Sequence, residues 1–138
     1  MRAGIWSGGT DMGFWIFMLI MNLLIPTTMI AHGKTWIKMP PKEINSIFGY
    51  RTSMSMINKE TWIFAHNYCG KLWYKWGMIL LPIIIVSMLC VLGKNNDVVG
   101  TVGGIVCFIQ MIPLAGVIIP TEKALNRTFD KNGNRRIR

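Results

Sequence analysis

A chain of 138 residues that is 51% hydrophobic and only 15% charged, with a positive mean hydropathy, is too apolar for an ordinary soluble domain of its length. Its net charge of +9 is the one feature that points toward nucleic acid, yet the basic residues flank long apolar runs, where positive charge reports membrane orientation, so direct nucleic-acid binding is not expected. The cysteines Cys69, Cys90 and Cys107 form no close pair, and His32 and His66 are isolated, so the spacing implies no disulfide framework, no metal site and no cofactor.

Residues 1–12 are Gly-rich and read as a short loose terminus. Residues 13–31 follow without a charge, close to the roughly 20 residues a helix needs to cross the hydrocarbon core, and form the first expected membrane helix. Ala31, His32 and Gly33 resemble a small-x-small cleavage site, but the apolar run is longer than the roughly 7–15 residues of a signal peptide. Residues 32–75 are polar, basic and aromatic. Pro40 and Pro41 end the preceding element and suit the first turn of a helix over residues 42–48, which Gly49 then interrupts. Asn58, or Ser55 before it, can cap a second helix starting near Lys59, with Glu60 in its first turn. On a helical projection Trp62, Ala65, Cys69, Leu72, Trp73 and Trp76 share one face, opposite Glu60, Asn67, Lys71 and Lys75. This predicts an amphipathic stretch in the headgroup region that feeds the next crossing.

The second membrane helix is expected over about residues 76–92, and the third over about 98–119, joined by the turn-rich linker 93–97. A basic tail occupies residues 120–138. The fold class is thus an all-α membrane protein, one domain over residues 1–138, with three transmembrane helices and an amphipathic, interfacial helical segment between the first and second. Gly100 and Gly104 have the G-x-x-x-G spacing that lets helix backbones approach closely, either within one chain or in a homo-oligomer. Thirteen of the fifteen Lys and Arg residues fall on one side of this arrangement. The positive-inside rule therefore places residues 32–75 and the tail in the cytoplasm and the amino terminus outside.

Chemistry-bearing side chains are sparse. The spans hold only Asn22, Ser87 and Gln110 as strongly polar groups, and Asn22 and Gln110 are better suited to linking helices than to a proton or ion path. Glu43 and Glu60 make no acid–base pair, and His66 with Cys69 three residues on lacks an orienting acid, so no catalytic residue is assigned.

The run Gly49, Tyr50, Arg51 and Thr52, then Ser55, Met56, Asn58, Trp62, Ala65, Gly70 and Lys71, resembles the signature of the SdpI family of small bacterial membrane proteins. Pro120, Thr121, Glu122, Leu125, Phe129, Asp130, Gly133, Arg135 and Arg136 are similar to that family's carboxy-terminal ending. The resemblance implies a helical bundle in the bacterial inner membrane with the motif on the cytoplasmic side. It also implies either immunity to a secreted toxic peptide or signalling through a regulator held at the membrane. The chain resembles a short branch: it lacks extra amino-terminal segments of the longer immunity proteins and has Tyr50 to Ser55 where they read Ile-Arg-Thr-Pro-Trp-Thr.

The expected binding residues are Gly49, Tyr50, Arg51, Thr52, Ser55, Asn58, Trp62, Asn67 and Lys71, with Gly100 and Gly104 for helix packing. Arg51 suits a carboxylate, a phosphate or helix-end carbonyls, Tyr50 and Trp62 suit interfacial anchorage, and Asn58 suits a cap. The expected partners are the lipid bilayer and either a peptide toxin or a cytoplasmic regulatory protein. Other readings of the residues are a small transport or lipid-handling component and a structural subunit of a larger complex.

Overall fold

A computed structural model of the chain describes residues 11–45, 47 and 49–137; residues 1–10 of the expected loose terminus lie outside them. Helix α1 (Met12–Lys38) begins where the Asp11 carboxylate accepts the Gly13 N–H at 3.0 Å and ends at Met39, just before Pro40. It outruns the uncharged stretch 13–31 because Lys34 changes the polarity of the helix without breaking its backbone hydrogen bonds. Helix α2 (Lys59–Cys90) is one continuous element of 32 residues, so the amphipathic stretch and the second crossing are joined as expected. Asn58 caps it reciprocally: its side chain accepts the Thr61 N–H at 2.9 Å while the Thr61 hydroxyl accepts the Asn58 N–H at 3.1 Å. Helix α3 (Asn96–Gly116) is capped by Asn95, and after a break at Val117 helix α4 (Ile118–Thr128) continues it.

Three helical stretches, α1, α2 and the α3–α4 pair, are long and apolar enough to cross a membrane. Large apolar side chains face outward along them, including Ile20 and Leu24 on α1, Ile83 and Val86 on α2, and Phe108 and Ile112 on α3. In water this surface would be untenable; in lipid it is the ordinary outer face of a span. The protein is a multi-pass, all-helical membrane protein.

Three expectations are corrected. The helix expected over residues 42–48 is absent among the described residues there. Seven residues are too few to sustain helix nucleation alone, and the Asn45 side chain takes the Ile47 N–H at 3.0 Å, a local turn that competes with a helix. The apolar face at the start of α2 is covered by protein and not by headgroups: Trp62, Ala65 and Cys69 are fully buried. The stretch 120–138 is also more than a tail, since α4 occupies its first half. A tight hairpin follows, with Phe129 bridged to Arg135 and Gly133 at φ +84°.

The α1–α2 crossing is a backbone-to-backbone approach. A Cβ at Gly33 would lie 2.6 Å from the Gly70 carbonyl oxygen and 2.7 Å from Tyr74 N. One at Gly77 would lie 2.6 Å from Ile30 Cγ1 and 3.0 Å from the Pro26 carbonyl oxygen. Only glycine fits there, which is how apolar spans adhere when lipid removes the hydrophobic driving force. Along α3 it is Gly103 that sits against α1, beneath Met18 and Asn22, whereas Gly100 meets only Phe14 at 3.5 Å and Gly104 has nothing within 4 Å. Polar bonds between helices also tie the bundle. Gln110 Nε2 donates to Asn22 Oδ1 at 2.9 Å, linking α3 to α1, and Trp15 Nε1 donates to the Met88 carbonyl at 2.9 Å near the end of α2.

A pair of variants tests this packing. Gly33→Ala must push two backbones apart and should lower stability in detergent by about 1–3 kcal/mol, seen as a lower thermal midpoint. Gly104→Ala adds a methyl group in open space on a helix and should leave the midpoint unchanged or slightly raised. Equal midpoints for the two variants would refute the glycine contact.

Candidate functional site: the loop between the first two helices

The loop 40–58 returns from α1 to α2 and is pinned at several points. Gly49 has φ +108°, and a Cβ there would come within 2.5 Å of His66 Nε2, so both conformation and space demand glycine. That turn aims the Tyr50 N–H at His66 Nε2, 2.9 Å away. Because this nitrogen accepts, the proton of the neutral ring sits on Nδ1, which donates to the Trp62 carbonyl at 2.8 Å. Both ring nitrogens of His66 are therefore engaged with backbone, and the Cys–His reading of His66 and Cys69 has no free base to serve it.

One residue on, the loop meets α4. Glu122 Oε2 accepts a hydrogen bond from Tyr50 Oη at 2.6 Å and a second from Thr52 Oγ1 at 2.7 Å. The Tyr50 phenol is held well above its ordinary value, first by burial and then by the hydrogen bond and negative charge of Glu122. Ser55 closes the turn. Its hydroxyl accepts the Thr52 N–H at 2.8 Å and lies 3.0 Å from the Tyr50 carbonyl, to which it donates.

The carboxy-terminal hairpin closes over the start of α2. Asn58 Nδ2 donates to the Gly133 carbonyl at 2.9 Å, and a Cβ at Gly133 would strike the same side chain. Arg135 forms an ion pair with Glu60 and stands 5.1 Å over the Phe129 ring. Asp130 holds the hairpin turn, accepting N–H bonds from Asn132 at 2.8 Å and Asn134 at 3.0 Å. These bonds, led by that of Asn134, keep its carboxyl below the usual range.

Of the residues singled out from sequence, Gly49, Tyr50, Thr52, Ser55, Asn58 and Trp62 come together here, all but Gly49, Thr52 and Asn58 fully interior. Tyr50 and Trp62 are braces and not surface anchors. Arg51 is different: it is exposed and has no hydrogen-bond or ion-pair partner among the described residues. It lies on the rim of a pocket of about 200 Å³ lined also by Trp36, Cys69, Trp73 and Val117. Trp36 and Trp73 stack there with centroids 5.1 Å apart, and Trp73 Nε1 donates to the Leu114 carbonyl at 3.1 Å, next to the α3–α4 break. Asn67 and Lys71 lie on the other face of α2; Asn67 reaches only its own helix, at the Ile63 carbonyl, and Lys71 is exposed. Gly100 and Gly104 are remote in α3. Sequence reasoning assigned no role to Glu122, Thr61 or Gly133. For Glu122 a signal existed: a solitary carboxylate just past the end of an apolar run, two residues after Pro120.

Removing the carboxylate should strand two hydroxyls, so Glu122→Ala should cost about 2–3 kcal/mol, while Glu122→Gln, which keeps an acceptor, should cost less; thermal unfolding in detergent reads both. Since its folded-state value is raised, the Tyr50 phenol contributes stability that is fully present below pH ~10 and lost as pH climbs beyond it. The difference between the ultraviolet titration curves of the wild type and Tyr50→Phe should show this phenol still protonated past pH ~10. A difference curve with an ordinary midpoint would contradict the buried Tyr50–Glu122 pair.

A sequence model of the SdpI/YfhL protein family matches residues 42–121, which takes in the loop, α2, α3 and the first turn of α4. Uncharacterized protein YfhL of Bacillus subtilis (strain 168) is 43% identical over 56 residues, 41% of this chain and 46% of that protein, so the matched stretch spans less than half of the relative's length. No solved structure matches the chain. The family match covers more than half of the chain and the whole of the Gly49-to-Lys71 site, and the protein therefore belongs to the SdpI/YfhL family.

Proposed function

We propose that the protein is a binding protein of the bacterial inner membrane that captures a toxic peptide or a cytoplasmic regulatory protein on the face around Arg51, without catalysis. One observation carries this reading. The residues on either side of Arg51 are locked into the fold by Glu122 and His66, yet Arg51 itself stands exposed and unpartnered beside a pocket walled by Trp36 and Trp73. A charged planar donor held rigidly beside an aromatic pocket suits a carboxylate or carbonyl on an extended or helical peptide. Family membership supports the immunity or signalling context, and the engagement of both His66 nitrogens by backbone supports binding over nucleophilic chemistry. In this reading the loop and the hairpin lie in the cytoplasm and the amino terminus outside, as the distribution of Lys and Arg favours.

A second reading is a small transport or lipid-handling component that oligomerises through α3. The open space beside Gly104 favours it, although Gly100 is already taken up by Phe14.

Expression in a sensitive bacterium challenged with a panel of membrane-active peptides should raise survival, and Arg51→Ala should remove that protection while leaving the thermal midpoint unchanged. A photoreactive side chain at position 51 should crosslink to the peptide or regulator. Unchanged survival across the panel together with no crosslinked partner refutes the proposal; substrate-dependent flux in liposomes, lost in Gly104→Leu, favours the second reading. For orientation, Ser53→Cys and Asn132→Cys in a background lacking Cys90 and Cys107 should label only from the cytoplasmic side.

A further inference from the structure

A concave strip on the outer surface of the bundle is not used by the site above. It runs between α2 and the α3–α4 pair, with Trp76, Ile79 and Ile83 on one wall and Pro113, Gly116 and Pro120 on the other, and encloses about 520 Å³. The second wall is low because Pro, Gly and Pro follow one another at spacings of three and four residues on one helix face, with nothing within 4 Å of where a Gly116 side chain would begin. The groove is almost wholly apolar and lies within stretches that cross the membrane, so its occupant is a hydrocarbon chain or another apolar surface.

The same face continues past the end of the groove. Lys123 and Arg127 follow Pro120 by three and seven residues, about one and two helical turns, and so extend the strip 113, 116, 120 at helical spacing. Both are exposed, and neither has a hydrogen-bond or ion-pair partner among the described residues. The neighbouring acid, Glu122, is occupied by Tyr50 and Thr52. Lys75, the residue before Trp76 on α2, is exposed as well. An apolar trough in the span that opens onto two or three free cations at the headgroup level matches one kind of molecule, with an acyl chain and an anionic head. A second copy of this chain would set its own Lys123 and Arg127 against these and supply no counter-charge.

We infer that this groove is a site for a single anionic phospholipid, its acyl chain between α2 and α3 and its phosphate at Lys123 and Arg127. The site is independent of the role assigned to Arg51.

Native mass spectrometry of the full chain in detergent tests it, using phosphatidylglycerol and phosphatidylcholine with identical acyl chains at equal concentration. The wild type should retain phosphatidylglycerol about tenfold more than phosphatidylcholine, as two cations beside an anionic head imply. The double variant Lys123→Gln/Arg127→Gln should lose that preference, and Gly116→Leu, which fills the trough, should lose retention of both lipids with an unchanged thermal midpoint. Equal retention by the wild type, a preference that survives the double variant, or a lipid-free dimer that Gly116→Leu dissociates would each overturn the site. If Gly116→Leu fails to fold, the charge variant alone decides.

Discussion

The carboxylate of Glu122 is the constraint on which the loop end of the bundle rests in this fold. It accepts two hydroxyl protons, from Tyr50 and Thr52, residues 72 and 70 positions away in the chain, and so joins the loop after α1 to the helix after α3. A partly buried carboxylate is costly without donors, and two short hydrogen bonds offset that cost. With Tyr50 and Thr52 thus held to α4 and the Tyr50 N–H held by His66, the Gly49 turn is fixed from both sides. The hydrophobic cluster of Trp36, Tyr50, Leu125 and Phe129 then closes around Ala65 and Cys69.

Polar and apolar constraints divide the molecule. Along their lengths α1 and α2 are held by shape: glycines at 33, 70 and 77 let the two helices touch at the backbone, and the Asn22–Gln110 bond adds a polar tie to α3 where there is no water to compete. Toward the loop the helices are held by hydrogen bonds that run between distant segments, because irregular backbone there must be satisfied group by group. This division accounts for the burial of Tyr50, Ser55, Trp62, Ala65 and Gly70. Tyr50, Ser55 and Trp62 hold a loop conformation that leaves Arg51 exposed beside the Trp36–Trp73 pocket.

The comparison of relatives agrees with that division. The family match begins at residue 42, in the loop, and ends at 121, one residue before Glu122, so it holds the donors of the latch while the acceptor falls at its edge. The hairpin beyond is secured by interactions of its own, through Asn58 to Gly133 and Glu60 to Arg135.

Much of the architecture was written locally. Uncharged runs of spanning length gave three crossings, Asn58 with Glu60 gave the start of α2, and the face of Trp62, Ala65 and Cys69 was legible as apolar, because each depends on residues within a few turns of one another. Only the tertiary structure decided what that face buries against, that Gly103 is the close approach to α1 while Gly100 meets only Phe14 there and Gly104 nothing within 4 Å, that residues 42–45 stay non-helical, and that the charged tail folds back as a helix and hairpin. The pairing of Tyr50 and Thr52 with Glu122 belongs to the same class. Partners separated by about half the chain leave no periodic trace in a single sequence; they meet because the membrane helices bring their ends together, and that geometry exists only once the bundle has formed.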